Sequence, residues 1–233
     1  MTYPILEFDA SPSAIIEPGK VIKVRDNMPP RVVFCFFQKA IEAACGMEKA
    51  PILMHLGSEI GSNPVYLLEH GGQTIAVIHP GVGAPLAAAV LEEAIALGGR
   101  KFIAVGGAGV LDSKIDLGHV IVPTAAIRDE GTSYHYLPPS REVTPNNEAV
   151  QAIVSALTHH NVPHDLGKTW TTDAVYRETP EKVKKRRSEG AITVEMEAAA
   201  FFAVAQFRGV QFGQMLYGGD DVGGETWDGW PRF

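Results

Sequence analysis

The sequence predicts an α/β fold: a single three-layer domain, residues 1–233, with a central mixed, largely parallel sheet flanked by helices. Three observations predict it. From Gln73 onward, short β-branched runs alternate with longer Ala-rich stretches, the order of strands joined by crossover helices. Glycines stand where the Ala-rich stretches stop, as helix ends require. The length of 233 residues suits one domain that buries its own core without staples.

The elements follow in chain order. The first seventy residues are irregular, with prolines at 4, 12, 18, 29, 30, 51 and 64, and predict an extended arm, then a strand over 31–37 and a helix over 38–45. Residues 73–79 (QTIAVIH) read as a buried strand and 80–85 (PGVGAP) as a Gly-rich turn. A helix over 86–97 is stopped by Gly98 and Gly99. Strands follow over 101–105 and 119–127. Thr144, Pro145 and Glu148 combine a hydroxyl cap, a first-turn proline and an acid near the positive end of the dipole, so a helix is expected from there to about 160. Residues 193–195 close another strand, 196–207 form a helix ended by Gly209, and 210–217 form the last strand.

Composition narrows the function. Hydrophobic residues at 45% and charged ones at 20% are those of a folded globular chain. A net charge of -7 argues against a general hold on nucleic acid or an anionic membrane surface, since both need excess Lys and Arg. The one basic run, 182–187, is interleaved with Glu181 and Glu189 and reads as a solvated helix face. Cys35 and Cys45 stand ten positions apart with no CxxC or His spacing, so neither a metal site nor a disulfide is expected. No apolar run reaches the ~20 residues of a membrane helix and no leader pattern opens the chain, so a cytoplasmic protein with reduced thiols is expected.

Three segments carry chemistry. The first is the turn with Gly81 and Gly83, its helix, and then Gly106, Gly107 and Gly109 after the next strand; such turns let backbone approach a ligand, or merely let a strand enter a helix tightly. The second is 129–135 (DEGTSYH). The third is Glu195-Met196-Glu197 at a strand-to-helix junction, followed by a strand that ends in Gly219-Asp220-Asp221. The two glutamates could simply charge a helix's first turn, and the two aspartates could sit in a surface turn among glycines. His135 reads equally well as a satisfied structural histidine.

Taken in order, these segments resemble the signature of the nucleoside phosphorylase superfamily, the purine and uridine phosphorylases, over residues 73–221. The resemblance implies a pentosyltransferase that cleaves a nucleoside, preferably a purine one, with inorganic phosphate as co-substrate and no cofactor, giving free base and ribose 1-phosphate. It makes Glu197 the acceptor of the ribose hydroxyls, with Met196 packed on sugar and base and Glu195 beside them. Asp220 becomes the acid that protonates the departing purine, with Asp221 as its rival. The stretch 171–177 matches the base-binding segment, so Val175, Tyr176 and Arg177 are expected at the base, although Val175 stands where the family has Phe. Gly81, Gly83, Gly106 and Gly107 are expected to form the phosphate or nucleophile loop.

The sequence also departs from that pattern. The family's N-terminal phosphate loop is absent, with only Pro18-Gly19-Lys20 in its region, and Ala104 and Gly107 occupy the positions of its phosphate Arg and Ser or Thr. Lys20, Arg31, Arg128 and Arg177 are the cations that could substitute. Alternatives therefore stay open: a nucleosidase using water, for which Glu7, Asp9 and Glu17 are acids in the right region without a supporting motif; a uridine-type phosphorylase; or a non-catalytic nucleoside-binding protein. The last residues, with Trp227 and Trp230, are too short and too Gly-rich for the family's closing helix, which leads to the expectation of a homo-oligomer.

Overall fold

A computed structural model describes residues 3–46, 49–224 and 226–229. An arm with a 3₁₀ turn at Pro4–Leu6 and a short helix α1 (Pro18–Val21) leads into β1 (Arg31–Cys35) and α2 (Gln38–Cys45). Three antiparallel strands follow, β2 (Ile52–Ser58), β3 (Gly61–His70) and β4 (Gln73–Ile78), of which sequence reading anticipated only the last. Gly71 and Gly72, both at positive φ, join β3 to β4, and a Gly-Gly pair between apolar runs is itself a hairpin signal.

The expected helix after the Gly-rich turn is α3 (Ala84–Leu97), which ends at Gly98 with φ +132°. Then come β5 (Lys101–Val110), β6 (Val120–Asp129), β7 (Glu142–Val143), α4 (Asn147–His159), β8 (His164–Thr172), α5 (Pro180–Ser188), β9 (Ala191–Glu195), α6 (Ala198–Arg208) and β10 (Gln211–Asp221). Two boundaries differ instructively. The cap of α4 is Asn146, whose Oδ1 accepts from the Ala149 N–H, rather than Thr144. β5 runs five residues past its expected end, so Gly106 and Gly107 are strand residues and not a loop.

The sheet is mixed. β1 pairs in parallel with β4 and β5, while β4, β3 and β2 extend it antiparallel. At the other side the strands close on themselves: β5 pairs with β10, β10 with β6, β6 with β8, β8 with β9, and β9 returns to β5. Alternation along β1 sends Val32 and Phe34 into the layer under α3 and α6, and Val33 and Cys35 toward α2. α4 packs on that second face through Val150 and Ile153.

α3 and α6 are alanine-rich on their buried faces, which lets them lie close above Phe34, Phe102 and Phe212, with Phe201 of α6 packed among these rings. The rings of Phe201 and Phe212 stack with centroids 4.6 Å apart. Each such fully buried ring contributes about 1.5–3 kcal/mol by leaving water. Glu92 is buried in α3 and is offset by Arg208 of α6, whose Nε and guanidinium nitrogen reach its carboxylate at 2.8 Å.

The basic run on α5 is mostly solvated, as expected, with one exception. Arg186 is buried, bonded to Asp129 at 2.9 Å and to Glu189 at 3.0 Å, and stands over the Trp170 ring. Cys35 and Cys45 are free thiols, and among the described residues no cluster could hold a metal ion. Among them, too, no helix is long and apolar enough to cross a membrane.

Candidate active site

The carboxyl ends of β5, β9 and β10 open into a cleft of about 780 Å³, at the place where sheets of this class hold their ligands. β5 lies between β10 and β9 there, with Asp220 and Val194 both in register with Gly109. The floor has to be glycine. A Cβ on Gly107 would come within 2.9 Å of the Tyr217 ring, and one on Gly109 would lie 3.1 Å from Val194 and 3.3 Å from the Asp220 Oδ1. These glycines make room for neighbouring side chains to lean over the strand, and Gly106 and Gly107, two of the four expected loop glycines, line the cleft as strand residues.

Glu197 lines the cleft at the start of α6 and is buried. Its Oε1 accepts the Gly83 N–H at 2.6 Å, and Gly83 holds φ +90°, a conformation that glycine adopts without strain. Gly81 donates instead to His79 Nδ1 and lies outside the cleft lining; Val82, between the two glycines, lines it. The turn thus places an acid rather than presenting free amides.

Glu195 is committed locally. Its Oε2 accepts the N–H groups of Glu197 and Ala198 at 2.7 and 2.6 Å, capping α6, and its Oε1 accepts from the Thr171 hydroxyl at 2.6 Å. Burial raises both carboxyls well above the ordinary carboxylate range, and Glu195 raises Glu197 further. The two therefore retain protons at pH values where an exposed pair would have none. Met196 lines the cleft between them.

Asp220 also lines the cleft, brought into place by a bulge at Gly219 in β10. The Trp227 indole N–H donates to Asp220 Oδ2 at 2.8 Å. Asp221 points its carboxylate at the Gly223 N–H, 2.7 Å away, and its backbone pairs with Asp228 in both directions, so it stabilises the turn and does not line the cleft. Beside Asp220 lies Glu178, which sequence reading did not single out. Burial, and then the nearby Asp220, push its carboxyl up to about 7.

The base-binding expectation divides. The 3₁₀ turn Val175–Arg177 brings Val175 to the cleft wall, whereas Tyr176 is 95% exposed and neither it nor Arg177 lines the cleft. The turn points the aromatic ring outward and brings Glu178 in. Locally Glu178 reads as an acid ahead of a capped helix, since Thr179 caps α5, so nothing in its neighbourhood marked it.

Several other expected residues lie elsewhere. Arg128 is buried and brackets a loop, donating to Ser133, Ser140 and the carbonyls of Leu137 and Pro138. Asp129 accepts from Trp170 and Arg186, and Glu130 bonds Ser133, so the 129–135 segment serves structure. His135 sits in a separate groove beside the N-terminal arm. Lys20 and Arg31 are exposed and outside the lining, as are Glu7 and Asp9, and Glu17 also lies outside it. Trp227 lines the cleft mouth at 65% exposure; Trp230, named with it, lies outside the described residues.

The cleft's ionisable groups among the described residues are thus Glu178, Glu195, Glu197, Asp220 and Tyr217, with no Arg, Lys or His. Such a site favours a developing positive charge and can lend a proton to a departing group.

Comparison with known proteins gives the family and the fold. A family model described as the phosphorylase superfamily matches residues 30–229. A guanosine phosphorylase from Halorubrum lacusprofundi is 29% identical over 169 residues, 70% of this chain and 70% of that protein. Among solved structures, a uridine phosphorylase from Vibrio fischeri superposes with a TM-score of 0.74 at 25% identity, over 86% of this chain and 82% of that one. An AMP nucleosidase from Bacteroides thetaiotaomicron gives 0.71 at 26% identity, over 82% and 81%. With its family model spanning most of its length, the chain belongs to the phosphorylase superfamily.

Proposed function

We propose that this chain is an enzyme that breaks the N-glycosidic bond of a purine nucleoside. The observation that carries the reading is one cleft holding Glu197 on one wall and the neighbouring Glu178 and Asp220 on another. Glu197, held by the Gly83 amide, is the acceptor for adjacent sugar hydroxyls. Met196 packs on the sugar, and Val175 borders the base. The Glu178–Asp220 pair supplies a proton to the departing base. A purine has a basic ring nitrogen to receive that proton, and a pyrimidine lacks its equivalent.

The family resemblance brings inorganic phosphate as co-substrate, no cofactor, and ribose 1-phosphate as product. A specific observation favours a second reading, with water as nucleophile: no Arg or Lys among the described residues lines the cleft, and a phosphate dianion leaves water only for charge-assisted donors. The test is a product assay on inosine, guanosine, adenosine and uridine, with binding measured in parallel. Release of base from the purine nucleosides supports the reading. Preference for uridine counts against purine specificity, and binding without release makes the chain a nucleoside-binding protein.

The same reading includes a cytoplasmic homo-oligomer. Val82 and Trp227 are exposed and line the cleft, an apolar rim that a second copy would cover. Sedimentation at micromolar concentration is expected to show more than a monomer.

A further inference from the structure

Trp227 ties the mouth of the cleft to the end of β10. Its indole N–H donates to Asp220 Oδ2 at 2.8 Å, and its exposed ring lines the cleft. Two backbone bonds hold the residue there: the Asp221 N–H donates to the Asp228 carbonyl at 2.9 Å, and the Asp228 N–H donates back to the Asp221 carbonyl at 3.0 Å. Gly229 lets the ring lie against the chain, since a Cβ there would come within 2.5 Å of it. A ring of this size left in water forgoes the stabilisation of burial unless a ligand covers it.

The same bond divides the Asp220 carboxylate. Oδ2 accepts the indole N–H, whereas Oδ1 lies over the glycine floor, 3.3 Å from where a Cβ of Gly109 would stand. Oδ1 is thus the oxygen left for a ligand, and a group that exchanges a proton with it lies beside the indole. Planar heteroaromatic rings stack on such a face whatever their substituents. The residues expected at the base supply no such face, because Val175 has no ring and Tyr176 is turned out of the cleft. Phe36 and Tyr217, the other rings of the lining among the described residues, lie over Gly106 and Gly107; Trp227 is the ring bonded to the acid.

We propose that Trp227 belongs to the base site and has two tasks: its ring stacks on the departing base, and its N–H turns Asp220 so that Oδ1 meets a ring nitrogen of that base. The inference rests on the glycosidic reading above and adds the residue that holds base and acid together. The proton leaves the Glu178–Asp220 pair and ends on the base.

Two variants separate the tasks, because Trp227→Phe keeps an aromatic face without the N–H and Trp227→Leu keeps neither. The residue is exposed, so both are expected to hold the wild-type thermal midpoint; Trp227→Met replaces the Leu variant should that one fail to fold. Hypoxanthine binding is measured by titration calorimetry, and steady-state kinetics on inosine and a 7-methylated purine nucleoside. Trp227→Phe is expected to bind hypoxanthine within about threefold of the wild type, to lose about tenfold in kcat on inosine and to keep most of its rate on the 7-methylated substrate. Trp227→Leu is expected to weaken hypoxanthine binding, and to raise KM on both substrates, by about tenfold. Unchanged binding in Trp227→Leu overturns the stacking, and equal losses on the two substrates in Trp227→Phe overturn the positioning of Asp220. A smaller particle in sedimentation with base binding unchanged makes Trp227 an interface residue and overturns both. A wild-type chain that binds hypoxanthine and cleaves no nucleoside overturns the glycosidic reading and the acid's role, while the stacking stands or falls on the titration. Cleavage that neither variant alters overturns the Trp227 assignment alone.

Discussion

The backbone N–H of Gly83 donates to Oε1 of Glu197 across 2.6 Å, although 114 positions separate the two residues. The bond joins the turn between β4 and α3 to the turn between β9 and α6, so two segments that sequence reading assigned to different tasks form one clamp. A carboxyl held by a backbone amide keeps one orientation, which a group that receives two sugar hydroxyls requires.

Glu197→Gln is expected to lower kcat/KM on a purine nucleoside by about tenfold or more, roughly 1.4 kcal/mol of transition-state stabilisation. The amide oxygen can still accept from Gly83, so the thermal midpoint should change little. Steady-state kinetics and a melting curve on the same preparation check both halves. A smaller kinetic loss counts against the ribose role.

Asp220→Asn and Asp221→Asn should part company. Asp220 lines the cleft, whereas Asp221 caps the Gly223 N–H. The Asp220 variant is expected to lose activity on inosine and to keep far more on a 7-methylated purine nucleoside, which already carries the charge that protonation creates. Asp221→Asn should affect both substrates alike, through the turn. Equal losses on the two substrates for Asp220→Asn would exclude it from proton transfer.

Glu178 gives the reaction a pH signature. Its carboxyl is pushed up to about 7, first by burial and then by Asp220, so it holds its proton below that pH and gives it up above. The kcat/KM on inosine is expected to fall as pH rises through about 7, while the 7-methylated substrate keeps its rate. Glu178→Gln should abolish that limb. A limb that persists at the same pH in the variant assigns the titrating proton elsewhere.

Stability should carry a second pH dependence, from the buried Glu195 and Glu197. Both have folded-state pKa values raised above the ordinary 4.5, to about 7 and about 8, so between those limits the folded chain binds more protons than the unfolded one. Their contribution is fully present below about 4.5 and is lost as pH rises through the raised range in which the pair titrates. Denaturant unfolding at pH 5.5 and pH 8.5 is expected to show the lower stability at the higher pH. Glu197→Gln should reduce the difference, and a difference unchanged by that substitution would place the titration outside this pair.

The sequence by itself determined most of the strands and helices from Gln73 onward, with β7 and β8 the exceptions, the glycine stops at Gly98 and Gly209, and the family, because these rest on local periodicity and on motifs contiguous in the chain. It also brought Glu197, Met196 and Asp220 forward as candidates, and all three line the cleft. Only the tertiary structure decided the rest. The closure of β5, β10, β6, β8 and β9 on themselves depends on pairings between distant strands that no local pattern encodes. The same closure makes Gly107 and Gly109 a floor beneath Tyr217 and Asp220, and it brings the Thr171 hydroxyl to Glu195. Whether a side chain meets solvent or a site is set by the direction of a single turn. The 3₁₀ turn at Val175–Arg177 sends Tyr176 outward and Glu178 toward Asp220, and neither outcome is written in residue type or spacing.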